Sequence, residues 1–237
     1  MASPLTATVY PIRVAILALV VATAGCNLKP NAAGFAEIRT RPREPVVQLR
    51  FGELPFVSAI AVHGWFAEYD PTRGTWLRWE ISDEERWNDR AWGHVVLDVS
   101  PDWWTAGLDA WVHAEWRGDE ARRIQTVLAR PADYRHFDLY RGWPGPNSNS
   151  YPAIVLREAG VACDLPSRAV GKDYFWLLGG AGITASRTGV QLDTPLVGVA
   201  LGLDEGLELH FLAGTLVGID VWPPGLETLF GRLGFPE

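Results

Sequence analysis

The stretch Trp143-Pro144-Gly145-Pro146-Asn147-Ser148-Asn149-Ser150 constrains this chain more than any other segment. Two prolines flanking a glycine remove backbone donors and fix φ, so neither a helix nor a central strand passes through it. The stretch must instead deliver the chain to a new element on its C-terminal side. Ser150 stands as an N-cap, Pro152 is tolerated in a first helical turn, and Gly160 falls where a glycine ends a helix.

The segments before this break alternate between strand and helix signals. Val57 to Phe66 is a run of β-forming and small residues, apolar on both faces, which predicts a central strand. Asp70-Pro71-Thr72-Arg73-Gly74 is a turn, and Thr75 to Ile81 returns as the partner strand of a hairpin. Asp83 to Asn88 reads as a charged excursion, with short strands at His94 to Val99 and Ala110 to Trp116. Gly118-Asp119-Glu120-Ala121 opens a helix, its acids at the positive end of the dipole. Ala121, Ile124, Val127 and Leu128 recur at helical spacing, and Pro131 ends the run.

After the break the chain is β-rich. Thr188 to Leu192, Leu196 to Leu203, Leu207 to Leu212 and Leu216 to Val221 are strand candidates, with a tight turn at Asp204-Glu205-Gly206. There is no internal repeat. The pattern predicts one α+β domain over residues 46–237, mostly antiparallel sheet with two main helices.

Residues 14–24 form an apolar run after Arg13 and end in small residues, the layout of a secretory signal. Two cleavage readings compete. Ala22-Thr23-Ala24 fits ordinary signal peptidase, which would release a soluble periplasmic protein. Thr23-Ala24-Gly25-Cys26 resembles a bacterial lipobox, although its Thr23 departs from the usual aliphatic residue. The second is preferred, with residues 1–25 as the leader and a lipid on Cys26 anchoring the chain to a membrane of the cell envelope. Residues 26–45, with their prolines and charges, then act as a tether.

Composition narrows the partners. The whole chain carries a net charge of −7, and residues 1–25 hold one basic and no acidic side chain. The remainder therefore has 20 basic and 28 acidic residues, a net charge of −8. Such a surface repels phosphates, which argues against nucleic acid. No metal or cofactor is expected: the two cysteines and five histidines show no ligand spacing. Eleven of the 12 tryptophans lie between Trp65 and Trp176. Core filling is favoured over an aromatic groove for sugar, lipid or peptide.

Two segments carry candidate chemistry. In Val62-His63-Gly64-Trp65-Phe66 a histidine interrupts a buried-looking strand, and in the proline-rich stretch a hydroxyl sits at a helix mouth. Ser148 could attack, His63 could take its proton, and Glu80 could orient His63 across the hairpin. Backbone N–H groups near Asn149 and Ser150 could hold an oxyanion. Trp65, Trp143, Asn147, Asn149, Lys172 and Asp173 complete a candidate binding set. The plainer readings are equally specific. The asparagines and serines are ordinary turn and capping residues, His63 a core histidine, Trp143 a cover for the helix mouth, and Lys172-Asp173 a solvated loop pair.

These same segments, with Trp79-Glu80, Gly171-Lys172-Asp173-Tyr174 and Thr188-Gly189-Val190-Gln191, resemble the motifs of the bacterial domain of unknown function 3750. The resemblance spans roughly residues 50–235, and it departs at Ser150-Tyr151-Pro152, where the family tends to Thr-Phe-Val. It implies no established activity. The order of elements is also similar, more distantly, to circularly permuted NlpC/P60 cysteine peptidases. That likeness implies such a core followed by a C-terminal β-rich part, with His63 as base and Ser148 in the seat of a cysteine. A serine is not ionised at neutral pH as a thiol partly is. The favoured expectation is therefore a non-catalytic binding or structural module with a cleft around His63 and Ser148. Its partners would be peptidoglycan, lipid or an envelope protein. The alternative is a hydrolase or acyltransferase of envelope amide or ester bonds.

Overall fold

The computed structural model describes residues 28–30, 41–81, 103–105, 108–136, 139–221 and 224–234. The leader, Cys26, the charged excursion from Asp83 and the strand expected at His94 to Val99 lie outside them. Strand β1 (Leu28–Pro30), within the expected tether, pairs with β5 (Trp103–Thr105) as a two-stranded ribbon. An extended segment containing proline is accommodated at such an edge.

A four-stranded antiparallel sheet has the order β4 (Thr75–Trp79), β3 (Val62–Asp70), β2 (Val46–Glu53), β6 (Ala110–Arg117). The hairpin forms at the expected turn. The expected strand from Val57 starts only at Val62, because residues 57–61 close on themselves through Ile60 and Ala61 N–H bonds to the Val57 carbonyl. Two helices, α1 (Gly118–Leu128) and α2 (Ser150–Ala159), pack together on one face of this sheet. Val47, Leu49 and Phe51 of β2 and Val62 and Phe66 of β3 meet Ile124, Leu128, Tyr151, Ile154 and Val155 there. Gly160 ends α2 in the left-handed conformation.

The second layer is a seven-stranded antiparallel meander, β7 (Gly180–Ile183), β8 (Gly189–Asp193), β9 (Val197–Gly202), β10 (Leu207–Phe211), β11 (Gly214–Asp220), β12 (Gly225–Thr228) and β13 (Gly231–Gly234). The protein is thus an α+β fold dominated by antiparallel sheet, with two main helices. Among the described residues no helix is long and apolar enough to cross a membrane.

The meander faces the opposite way from a usual half-buried sheet. Its buried face carries Gln191, Asp193, Glu208, His210, Asp220 and Glu227. Glycines opposite the acids make room: a Cβ on Gly198 would overlap the Asp193 carboxylate, and one on Gly218 would meet Glu208 and Glu227 at 3.0 Å. The outward face is aliphatic. Ile183, Val190, Leu201, Leu207, Ile219, Leu226 and Leu233 pair in an unbroken row across all seven strands, and every one is exposed.

Candidate functional site

The proline-rich turn is held by its own asparagines. Gly145 adopts φ +125, and an added Cβ there would come within 2.9 Å of Ser150 Oγ. Asn147 Oδ1 accepts the backbone N–H groups of Asn149 at 2.9 Å and Ser150 at 3.1 Å. Asn147 Nδ2 donates to the carbonyls of Gly142 and Val170, both at 3.0 Å. Asn149 Nδ2 donates to the Val62 carbonyl at 2.9 Å, and Ser150 Oγ to that of Gly171 at 2.7 Å. The turn is therefore stapled to the start of β3 and to residues 170–171. Asn149, not Ser150, occupies the N-cap position of α2. The capping is done from two residues further back, by the Asn147 carboxamide. Ser148 is buried within this turn.

His63 is oriented by Glu80 as expected, with Nε2 at 2.9 Å from Oε2. Arg78 Nη2 donates to the same oxygen at 2.7 Å, and its guanidinium lies 4.4 Å from the Trp65 ring centre. Burial pushes the Glu80 carboxyl up, but the Arg78 charge and the His63 hydrogen bond outweigh it and hold the group at about 2. His63, Trp65 and Arg78 share one face of the four-stranded sheet. Arg78 pairs with Ala67, and the His63 and Trp65 ring centres are 6.1 Å apart.

That face is turned away from the helices. Residues alternate along a strand, and paired residues share a side. Val62, Gly64 and Phe66 look toward α2: a Cβ on Gly64 would touch Asn149 Oδ1 and Pro152 at 3.3 Å, and Phe66 stacks edge-on against Tyr151. His63 therefore projects to one side of the sheet while the turn carrying Ser148 docks on the other. The expected juxtaposition of base and nucleophile does not form. The expected oxyanion donors, the Asn149 and Ser150 N–H groups, are already occupied by Asn147.

The remaining members of the expected binding set scatter. Trp65 is fully buried in the small core on the His63 side. Trp143 is half-exposed and donates its indole N–H to the Leu212 carbonyl at 2.6 Å, tying the turn to the meander. Lys172 and Asp173 are buried, not a solvated pair. Lys172 Nζ lies 3.1 Å from Glu208 Oε2, and Gln191 Nε2 bridges Asp173 Oδ1 at 3.1 Å and Asp193 Oδ2 at 2.9 Å. His210 stands between Asp193, at 2.5 Å from Nδ1, and Glu208, at 2.8 Å from Nε2. Burial pushes His210 down, but the Asp173 charge and the bonds to Asp193 and Glu208 overcome it and raise its pKa. Burial likewise opposes ionised Glu208, and the Lys172 and His210 charges overcome it.

Asp173, Asp193 and His210 offer ligand atoms within 4.8 Å of one another, the donor set among the described residues that could hold a metal ion. Both His210 nitrogens face carboxylates, however, so a protonated ring already supplies positive charge there, with the Lys172 ammonium beside it. Sequence reasoning reached Lys172 and Asp173 but missed Asp193, Glu208 and His210. Their local signal is polar residues alternating with apolar ones in Val190-Gln191-Leu192-Asp193 and in Leu207-Glu208-Leu209-His210-Phe211. A separate cleft of about 160 Å³ lies between α1 and α2, lined by Arg130, Tyr134, Tyr151 and Glu158 among others.

Comparison with curated proteins and with solved structures finds no match. A family model described as a protein of unknown function (DUF3750) matches residues 44–174, a span that holds the histidine strand, both helices, the proline-rich turn and the Gly171–Tyr174 segment, and the chain belongs to that family.

Proposed function

We propose that this protein is a non-catalytic binding or structural module of the bacterial cell envelope, tethered to a membrane by a lipid on Cys26 and facing the periplasm or exterior. The observation that carries the non-catalytic half is the separation of His63 from the Ser148 turn by the thickness of a sheet. Acyl transfer to a serine requires a base within hydrogen-bond reach and free donors for the oxyanion. Here the base, oriented by Glu80, stands on the far face of the sheet, and the two amides are engaged by Asn147. The tethered half rests on the apolar run after Arg13 and on Thr23-Ala24-Gly25-Cys26.

A fluorophosphonate probe tests the first half. Wild type is expected to label no more than Ser148→Ala; labelling of wild type that Ser148→Ala abolishes restores the hydrolase reading. Incorporation of labelled palmitate tests the second. Wild type should take up label and Cys26→Ser should not, and equal uptake or none in either rejects the anchor.

A further inference from the structure

The aliphatic face of the meander is the largest feature left without a role. Thirteen exposed aliphatic or aromatic side chains lie on its strands, and direct pairing places twelve of them on one side, the thirteenth, Leu216, falling at the β10–β11 bulge. The central strand, β10, contributes Leu207, Leu209 and Phe211, and its neighbour β9 contributes Val197, Val199 and Leu201. Their fractional exposures run from 37% to 60%. The meander's charged side chains, Asp193, Glu208, His210, Asp220, Glu227 and Arg232, are on the inward side. The exposed face amounts to on the order of 1,200 Å² of apolar surface, beyond the few hundred Å² of the largest patch on a typical monomer.

We propose that this face closes on the same face of a second copy of the chain, forming a two-fold, face-to-face homodimer. A standard interface buries about 800 Å² per partner, and obligate homodimers use larger, more apolar surfaces resembling a core cut in half. The face meets both conditions. It is also self-complementary in kind, as an isologous contact requires, because one aliphatic row crosses the sheet from edge to edge. Two sheets packing through such faces align within about 30° and share a layer roughly 10 Å thick.

Shape decides against a bilayer as the occupant. Strands rotate by about 20–25° from one to the next, so seven of them accumulate a twist on the order of 130°. A plane touches a narrow strip of such a surface, whereas a second sheet of the same twist follows it. Spanning is excluded by length: these strands have four to seven residues, and a membrane-crossing strand needs about 9–11. The dimer stands whether or not Cys26 carries a lipid.

Sedimentation equilibrium on the Cys26→Ser chain tests the proposal without the lipid. A species of twice the chain mass is expected at micromolar concentration. The double variant Val199→Glu/Leu209→Glu places charges at the centre of the face. It should weaken dimerisation by on the order of 100-fold or more, with an unchanged far-UV circular dichroism spectrum. Should that variant fail to fold, the Tm of the unsubstituted face still decides: it should rise with protein concentration. A monomer whose Tm is independent of concentration overturns the proposal. So does a monomer that floats with phosphatidylethanolamine–phosphatidylglycerol vesicles, or a dimer that the double variant leaves equally tight.

Discussion

Asn147→Ala tests whether the proline-rich turn is a structural staple. The carboxamide is buried and makes four hydrogen bonds to backbone groups, which join the turn, the first amides of α2 and the backbone at Val170, and its Oδ1 also accepts from Ser150 Oγ at 3.3 Å. Removing it deletes a cap, worth about 1 kcal/mol. It also strands the buried Asn149 and Ser150 amides, at about 1–3 kcal/mol for each that finds no other partner, while the carbonyl of exposed Gly142 turns to water. The Val170 carbonyl keeps its bond from Asn149 Nδ2 and adds little. Allowing for relaxation, the loss comes to about 3–4 kcal/mol, or on the order of 10 °C in Tm for a domain of this size. Ser148→Ala removes none of those four bonds and should stay within about 1 kcal/mol of wild type. Urea unfolding followed by tryptophan fluorescence, read as a shift in midpoint at constant m-value, measures both. Asn147→Ala and Ser148→Ala of equal stability would refute the reasoning, because the turn would then owe its shape to the prolines alone.

Two further substitutions probe the buried charges. Glu80 has a folded-state pKa of about 2, below its ordinary 4.5, so its contribution is complete above about pH 4.5 and is lost as pH falls toward 2. The slope should be worth up to about 3 kcal/mol across that window; it should flatten in Glu80→Gln, and a parallel pH profile in that variant would exclude Glu80 as its source. Gly198→Ala drives a methyl into the Asp193 carboxylate, so it should lower Tm far more than Asp204→Asn in the exposed turn that follows the same strand, and comparable Tm values would contradict the packing.

The parts of the fold legible in the sequence are those written in adjacent residues. The Asp70–Gly74 turn fixes the hairpin, and hairpin geometry brings Glu80 to His63. Glycine at 160 and the apolar spacing from Ala121 to Leu128 set the helices. Strand β2 has a local signal, since apolar Val47, Leu49 and Phe51 alternate with Gln48 and Arg50; what alternation does not reveal is that both polar residues are buried, with Gln48 bonded to Glu115 and Arg50 to Gln48. The expected site fails on strand alternation. His63 and Gly64 are neighbours on a strand, so whichever of them looks at the turn, the other looks away. Gly64 is the one whose missing side chain admits Asn149 and Pro152, and the histidine is thereby turned from Ser148. The Lys172 network could not be found locally either, since its partners lie 18 to 38 positions downstream in strands whose faces only the register assigns.

That register explains why the apolar face is outward at all. A slip of one residue in β10 would bury Leu207, Leu209 and Phe211 and expose Glu208 and His210, the arrangement hydrophobic burial alone favours. Specific contacts hold the other choice. Lys172 and Thr215 engage Glu208, Gln191 bridges Asp173 and Asp193, and Arg157 on α2 donates to Gln191 at 3.0 Å. A Cβ at Gly180 or Gly182 would lie within 2.7 Å of the Phe175 side chain, so β7 too is committed to its inward face. Replacing buried ion pairs by hydrophobic residues is often neutral or stabilising, so the charges are a poor source of stability. What they supply is orientation: they bind the polar side of the meander to the rest of the domain and leave its aliphatic side for a partner.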